Sequence, residues 1–235
     1  MNQILITEKI YITPELKKKK RMYKFNFIIS IILIVVLILA LGSIAAYKIM
    51  HQKKEEPKIT KSLDTIKGFD YKLEDRDKEI YKTEFKKLKE NLEGKSINYE
   101  DYAKSIAKMF IIDLYTIDNK INKYDIGGEE FVHPDALENY KLNVKDTLYK
   151  YVDDNTYSDR DQELPEVTEI KIDDFKTDTY KIKDEETDCY LVTLSWKYKT
   201  DLKYDDKALI TIVKKDKKLY VVEKAEVDET EDVDK

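Results

Sequence analysis

Residues 190–198 read YLVTLSWKY, and this stretch decides the fold. Tyr190, Val192, Leu194, Trp196 and Tyr198 alternate with Leu191, Thr193, Ser195 and Lys197. A period of two is that of a strand with one face buried. Working outward, residues 167–172 (VTEIKI) alternate as well. Residues 208–213 (ALITIV) and 219–223 (LYVVE) are β-branched runs, and Asp205-Asp206 and residues 215–218 supply polar connections. The pattern predicts a meander of four antiparallel strands.

Before Pro165 the period is 3.6. Residues 63–93 read as helical in propensity, and within them a charged helix (77–93) carries Ile80, Tyr81, Phe85, Leu88 and Leu92, with Asp77 as the expected N-cap and Gly94 as the stop. The charge predicts a largely solvated helix, either a stalk or a cover on the domain surface. Residues 99–117 carry a wider stripe of Tyr102, Ile106, Met109, Phe110, Leu114 and Ile117, capped by Asn98 or Ser96. Gly127-Gly128 marks a turn, and Phe131-Val132 reads as a short strand. Pro134 then opens a third helix with Leu137, Tyr140, Val144, Leu148 and Tyr151 on one face. Helices followed by a meander give an α+β class, with helices on one face of a curved four-stranded antiparallel sheet. Residues 95–227 are expected to fold alone.

Further upstream the chemistry changes. Residues 25–46, FNFIISIILIVVLILALGSIAA, contain no charge. These 22 residues make a helix of about 33 Å, enough for a bilayer core of about 30 Å. On the N-terminal side stand Lys17, Lys18, Lys19, Lys20, Arg21 and Lys24; the other flank mixes lysine with Glu55 and Glu56. The denser cationic flank stays in the cytoplasm, which places the C-terminal part outside. The small residues Ser43-Ile44-Ala45 raise a cleaved signal peptide as the alternative. A head of 24 residues and an apolar run longer than a signal core favour an uncleaved anchor. The expected organisation is a basic cytoplasmic head (1–24), a transmembrane helix (25–48), a linker (49–76), an extracytoplasmic domain (77–227) and an acidic disordered tail (228–235).

Composition narrows the function. The chain has 235 residues and a net charge of −5; residues 1–50 carry +6 and the remainder −11. An outer part of that sign has no electrostatic footprint for nucleic acid. One cysteine, Cys189, excludes an intrachain disulfide framework and a multi-cysteine zinc or iron–sulfur site. Cys189 with His133 makes a poor nucleophile–base pair, and a sheet cysteine and a capping histidine are the simpler roles. Asp125, Glu129, Glu130 and Asp135 do not follow a calcium-loop spacing, and Asp153, Asp154, Asp159, Asp161 and Glu163 read as a solvated loop. No catalytic residue, metal site or cofactor is expected. The expected partners are the lipid bilayer and an envelope protein or a second copy of the chain.

The element order of residues 77–227 resembles the nuclear-transport-factor-2-like fold, a cone of bent sheet around three helices. With one short head and one membrane helix, it also looks like the bitopic assembly subunits of type IV secretion and Gram-positive conjugation machines. That resemblance implies a scaffold without catalysis at a bacterial cell membrane. It further implies a pocket lined by one sheet face, for which Trp196, Tyr190 and Tyr198 are the contact candidates, unless Trp196 serves as a core anchor. The alternative function is a small-ligand sensor or enzyme using that pocket. Residues 7–17, TEKIYITPELK, look like the head of clostridial membrane sortases. The outer part departs from that family, because Cys189 follows Thr187-Asp188 rather than a Thr-Leu-x-Thr strand.

Overall fold

A computed structural model describes residues 14–51, 57 and 59–227. Residues 1–13, much of the expected linker between 52 and 58, and the expected acidic tail 228–235 lie outside the described residues. The chain divides into two compact units, Met1–Glu55 and Glu56–Lys235.

Among the described residues the first unit is one helix, α1 (Pro14–His51). Its segment Arg21–Ser43 spans 23 residues with a mean hydropathy of 3.0 and is nowhere buried against protein. Length and composition suit a membrane anchor or a signal sequence. The Ser30 hydroxyl donates to the Asn26 carbonyl at 3.0 Å and Ser43 donates to Leu39, so both polar side chains are satisfied by their own helix.

The second unit is α+β. A hairpin of β1 (Ser62–Thr65) and β2 (Lys72–Glu74) precedes α2 (Glu79–Leu92) and α3 (Tyr99–Tyr115). Short 3-10 turns lead into α4 (Leu137–Asp146). Then come β3 (Val167–Ile182), β4 (Glu185–Tyr198), β5 (Lys207–Lys215) and β6 (Lys218–Ala225), an antiparallel sheet in sequential order. The meander is therefore present, with β3 and β4 longer than alternation predicts. A bulge between Ile172 and Asp174 explains the missed length. It flips the parity of β3, so that Ile170, Ile172 and then Phe175 face the core.

The core is layered around α3, which is buried on almost every side between α2 and the sheet. Val192, Leu194 and Trp196 of β4, Ala208, Ile210 and Ile212 of β5, and Leu219 and Val221 of β6 form the sheet's inner face. Asn98 caps α3 as expected, its side chain accepting from Glu100 N at 3.1 Å and Asp101 N at 3.3 Å. Asp77 does not cap α2; its carboxylate accepts from Glu74 N at 2.6 Å instead.

Four expectations are corrected or decided by the structure. The segment 49–76 is not a linker throughout, because Ile66, Phe69 and Tyr71 are core residues; nor is it helical from residue 63, where the β1–β2 hairpin stands instead. The Tyr71 hydroxyl meets that of Tyr102 at 2.8 Å and donates to the Leu219 carbonyl at 3.1 Å, tying the β1–β2 hairpin to α3 and β6. Of the two places left open for α2, a stalk or a cover, it takes the cover, since Tyr81, Phe85, Leu88 and Leu92 are buried, chiefly against α3. A fragment starting at residue 95 therefore lacks part of its own core. Third, Tyr151 is 76% exposed, outside the face expected for the third helix. The helix ends at Asp146, and Thr147 at φ −119°, ψ −88° turns the chain so that Tyr149 points inward. Phe131 and Val132 also form no strand, only a 3-10 turn and a single parallel bridge to Val221.

Candidate functional site

The groove worth examining lies between α4 and the sheet. Helix α4 is tied down at both ends and loosely packed between them. At its start His133 N donates to the Val221 carbonyl at 2.9 Å, and His133 Nδ1 accepts from Asp135 N at 3.3 Å, the capping role read from the sequence. The Tyr140 hydroxyl donates to the Gly127 carbonyl at 2.6 Å. Past its end, the buried Tyr149 hydroxyl donates to the Leu114 carbonyl at 2.8 Å. Of the residues of α4 itself only Val144 is fully buried. Its polar wording cannot fill the space beneath it, and a groove of about 730 Å³ remains.

Phe110, Leu114, Val132, Val144, Leu148 and Val221 give this groove an apolar floor. One end is polar. The Tyr115 hydroxyl donates to Asp205 at 2.7 Å, and Lys224 meets the same carboxylate at 2.9 Å. Burial and the neighbouring carboxylate push the Tyr115 phenol far up, so it stays a hydrogen-bond donor. Burial raises the Asp205 carboxyl, but Tyr115 and Lys224 outweigh it and hold the group below its usual range. The volume and the mostly apolar lining are those of a binding site.

The three contact candidates from the sequence do not assemble there. Trp196 is 3% exposed and anchors the core, its ring 5.1 Å from that of Tyr115. Its Nε1–H donates to the Tyr198 hydroxyl at 2.7 Å, and Tyr198 donates to the Asp205 carbonyl. Trp196 and Tyr198 thus form the layer behind Tyr115. Tyr190 stacks on Phe175 at 5.9 Å and lines no part of the groove. Trp196 also borders a separate recess of about 670 Å³ with Ile170 and Ser195. Of the anchor-flank cations, Lys18, Lys19, Arg21 and Lys24 are exposed along α1.

A second cleft, of about 350 Å³, is acidic. Asp125, Glu129 and Glu130 of the loop before α4 line it together with Asp77 and Asp113. Asp135 lies apart, paired with Lys183 at 2.9 Å. Arg76 clamps Asp125 through two nitrogens, one at 3.0 Å, and Lys120, 2% exposed, pairs with Asp113. Asp113 also accepts from Gly128 N at 2.6 Å. A Cβ on Gly127 would lie 2.0 Å from the Asp113 carbonyl oxygen, and Gly128 has φ +79°, so this approach needs both glycines. Among the described residues no group of three or more His, Cys, Asp or Glu could hold a metal ion.

The cleft carries a pH dependence. Burial pushes Asp77 up to about 6 and Glu130 up to about 7. Such groups stabilise the fold fully below the ordinary carboxylate range, and that contribution is lost as pH rises through the folded values. Asp125, held low by Arg76 against the effect of burial, works the other way and loses its contribution only in acid. Residues 57–227 are expected to lose about 2–4 kcal/mol of stability between pH 5 and pH 8. Urea unfolding across that range checks this, and a double Asp77→Asn, Glu130→Gln variant should flatten the profile. A wild-type profile that rises toward pH 8 would refute the assignment.

Cys189 is buried on the sheet face opposite α3, and burial pushes its thiol up, away from thiolate reactivity. In comparisons with known proteins, no family model, no curated protein and no solved structure matches the chain.

Proposed function

We propose that this is a single-pass membrane protein whose helix α1 displays residues 59–227 outside a bacterial cell as a non-catalytic binding module. The observation that carries the reading is the α4–β6 groove, apolar at its floor and open at its rim, in a chain that also holds a helix long enough to cross a bilayer. The orientation rests on the cationic cluster Lys17, Lys18, Lys19, Lys20, Arg21 and Lys24. The groove takes an apolar segment of an envelope protein, as a scaffold subunit of a secretion or conjugation assembly would. The cone-like, nuclear-transport-factor-2-like arrangement belongs to the same reading and is supported by the element order of three helices before a sequential four-stranded sheet.

A small ligand in the same groove is the second reading, favoured by the Tyr115–Asp205–Lys224 chain at its polar end. Asn143 lines the groove from the exposed side of α4, so Asn143→Trp narrows its mouth from outside the core. The variant is expected to keep the wild-type melting temperature and to lose the envelope protein that, on this reading, co-purifies with the native chain. Unchanged co-purification by a folded Asn143→Trp chain would overturn the groove as the working surface.

A further inference from the structure

Resting on the groove as a binding site, we infer that its occupant is a polypeptide segment in which bulky aliphatic side chains stand beside lysine or arginine. The apolar half of that specificity follows from the floor of Phe110, Leu114, Val144 and Val221. The basic half follows from the rim. Asp205, Glu223 and Glu226 line the groove on the sheet side, and among the described residues Lys224 is the one cation lining it, already paired with Asp205 at 2.9 Å. Glu226 is exposed and has no ion-pair partner among the described residues, whereas Glu223, also exposed, is reached by the Tyr180 hydroxyl of β3. On the α4 side the lining polar residues are neutral: Asn139, Asn143 and Thr147. An anionic partner meets like charge at this mouth, and a neutral apolar one leaves the Glu226 carboxylate without a counterpart. A cationic side chain flanking the buried aliphatic groups answers both, and rim charges of this kind set partner choice and association rate.

The test uses the full chain in nanodiscs of zwitterionic lipid, titrated with two labelled peptides. One alternates leucine with lysine; the other carries glutamate at each lysine position. The lysine peptide is expected to bind at least tenfold more tightly, with an advantage that shrinks as salt is raised. A Glu223→Lys, Glu226→Lys chain should lose that preference. A Glu90→Lys, Glu93→Lys chain, carrying the same change of net charge on α2, should keep it. Equal binding of the two peptides, or equal loss in both charge-reversed chains, overturns the inference while leaving the groove in place. Binding of decylammonium with rejection of both peptides assigns the groove to a small amphiphile and overturns the polypeptide occupant. Failure of every probe, with Asn143→Trp also silent, overturns the groove reading on which the inference stands.

Discussion

A chain that begins at residue 95 is expected to stay unfolded, whereas one that begins at residue 57 folds. The difference is seven buried side chains: Ile66, Phe69 and Tyr71 from the β1–β2 hairpin, and Tyr81, Phe85, Leu88 and Leu92 from α2. Burying one such side chain contributes about 1.5–3 kcal/mol. Their joint loss therefore exceeds about 10 kcal/mol, comparable with the whole net stability of a domain, about 5–15 kcal/mol. The loss is also structural. Without Tyr71, the Tyr102 hydroxyl loses its buried partner, while Leu219 N keeps its 3.2 Å bond to it. Circular dichroism and urea titration of the two fragments decide the matter. A cooperative transition of residues 95–227 at the midpoint of the longer fragment would make the hairpin and α2 peripheral.

Trp196→Ala, in residues 57–227, is expected to cost about 3–5 kcal/mol, the range of large-to-small changes at aromatic core positions. The indole is pinned from three directions. It faces Tyr115 across the helix–sheet interface, pairs with Ile170 of β3 in register, and donates to Tyr198. Removing it leaves a cavity beside the Tyr115 ring and frees the Tyr198 hydroxyl at the polar end of the groove. Equilibrium unfolding measures the cost, and a loss below about 1 kcal/mol would mean that the site collapses around the gap or that Trp196 is not central.

Much of the fold was legible because its elements carry long one-period signals. The alternation at 190–198 gave β4, the β-branched runs gave β5 and β6, and the stripe at 99–117 with Asn98 gave α3 and its cap. The β1–β2 hairpin was not legible. Its strands are four and three residues long, too short for a period, and its core residues Ile66, Phe69 and Tyr71 all lie in the turn between them. The turn itself is made by Gly68 at φ 78° and Asp70 at φ 61°, which single out no partner in the sequence. In α2 the charged residues outnumber the apolar ones, which left stalk and cover open, although the four side chains at helical spacing cover α3.

The groove was legible only in part. The one-sided apolar spacing of Leu137, Tyr140 and Val144 marked α4 as a helix with a covered face. That it stands clear of β6 in the middle depends on anchors at its two ends, His133 to Val221 and Tyr149 to Leu114, which join residues 88 and 35 positions apart. The acidic cleft shows the same division. Asp125, Glu129 and Glu130 were visible as charge, but Asp77 and Asp113 reach them only through the packing of α2 against α3.

The central claim is that residues 59–227 stand outside the cell on the α1 anchor, and protease added to intact cells tests it most directly. With an epitope tag at each end, the C-terminal tag is expected to disappear while the N-terminal tag survives on a membrane-embedded stub. Full protection of the C-terminal tag in intact cells, with cleavage only after lysis, would contradict it.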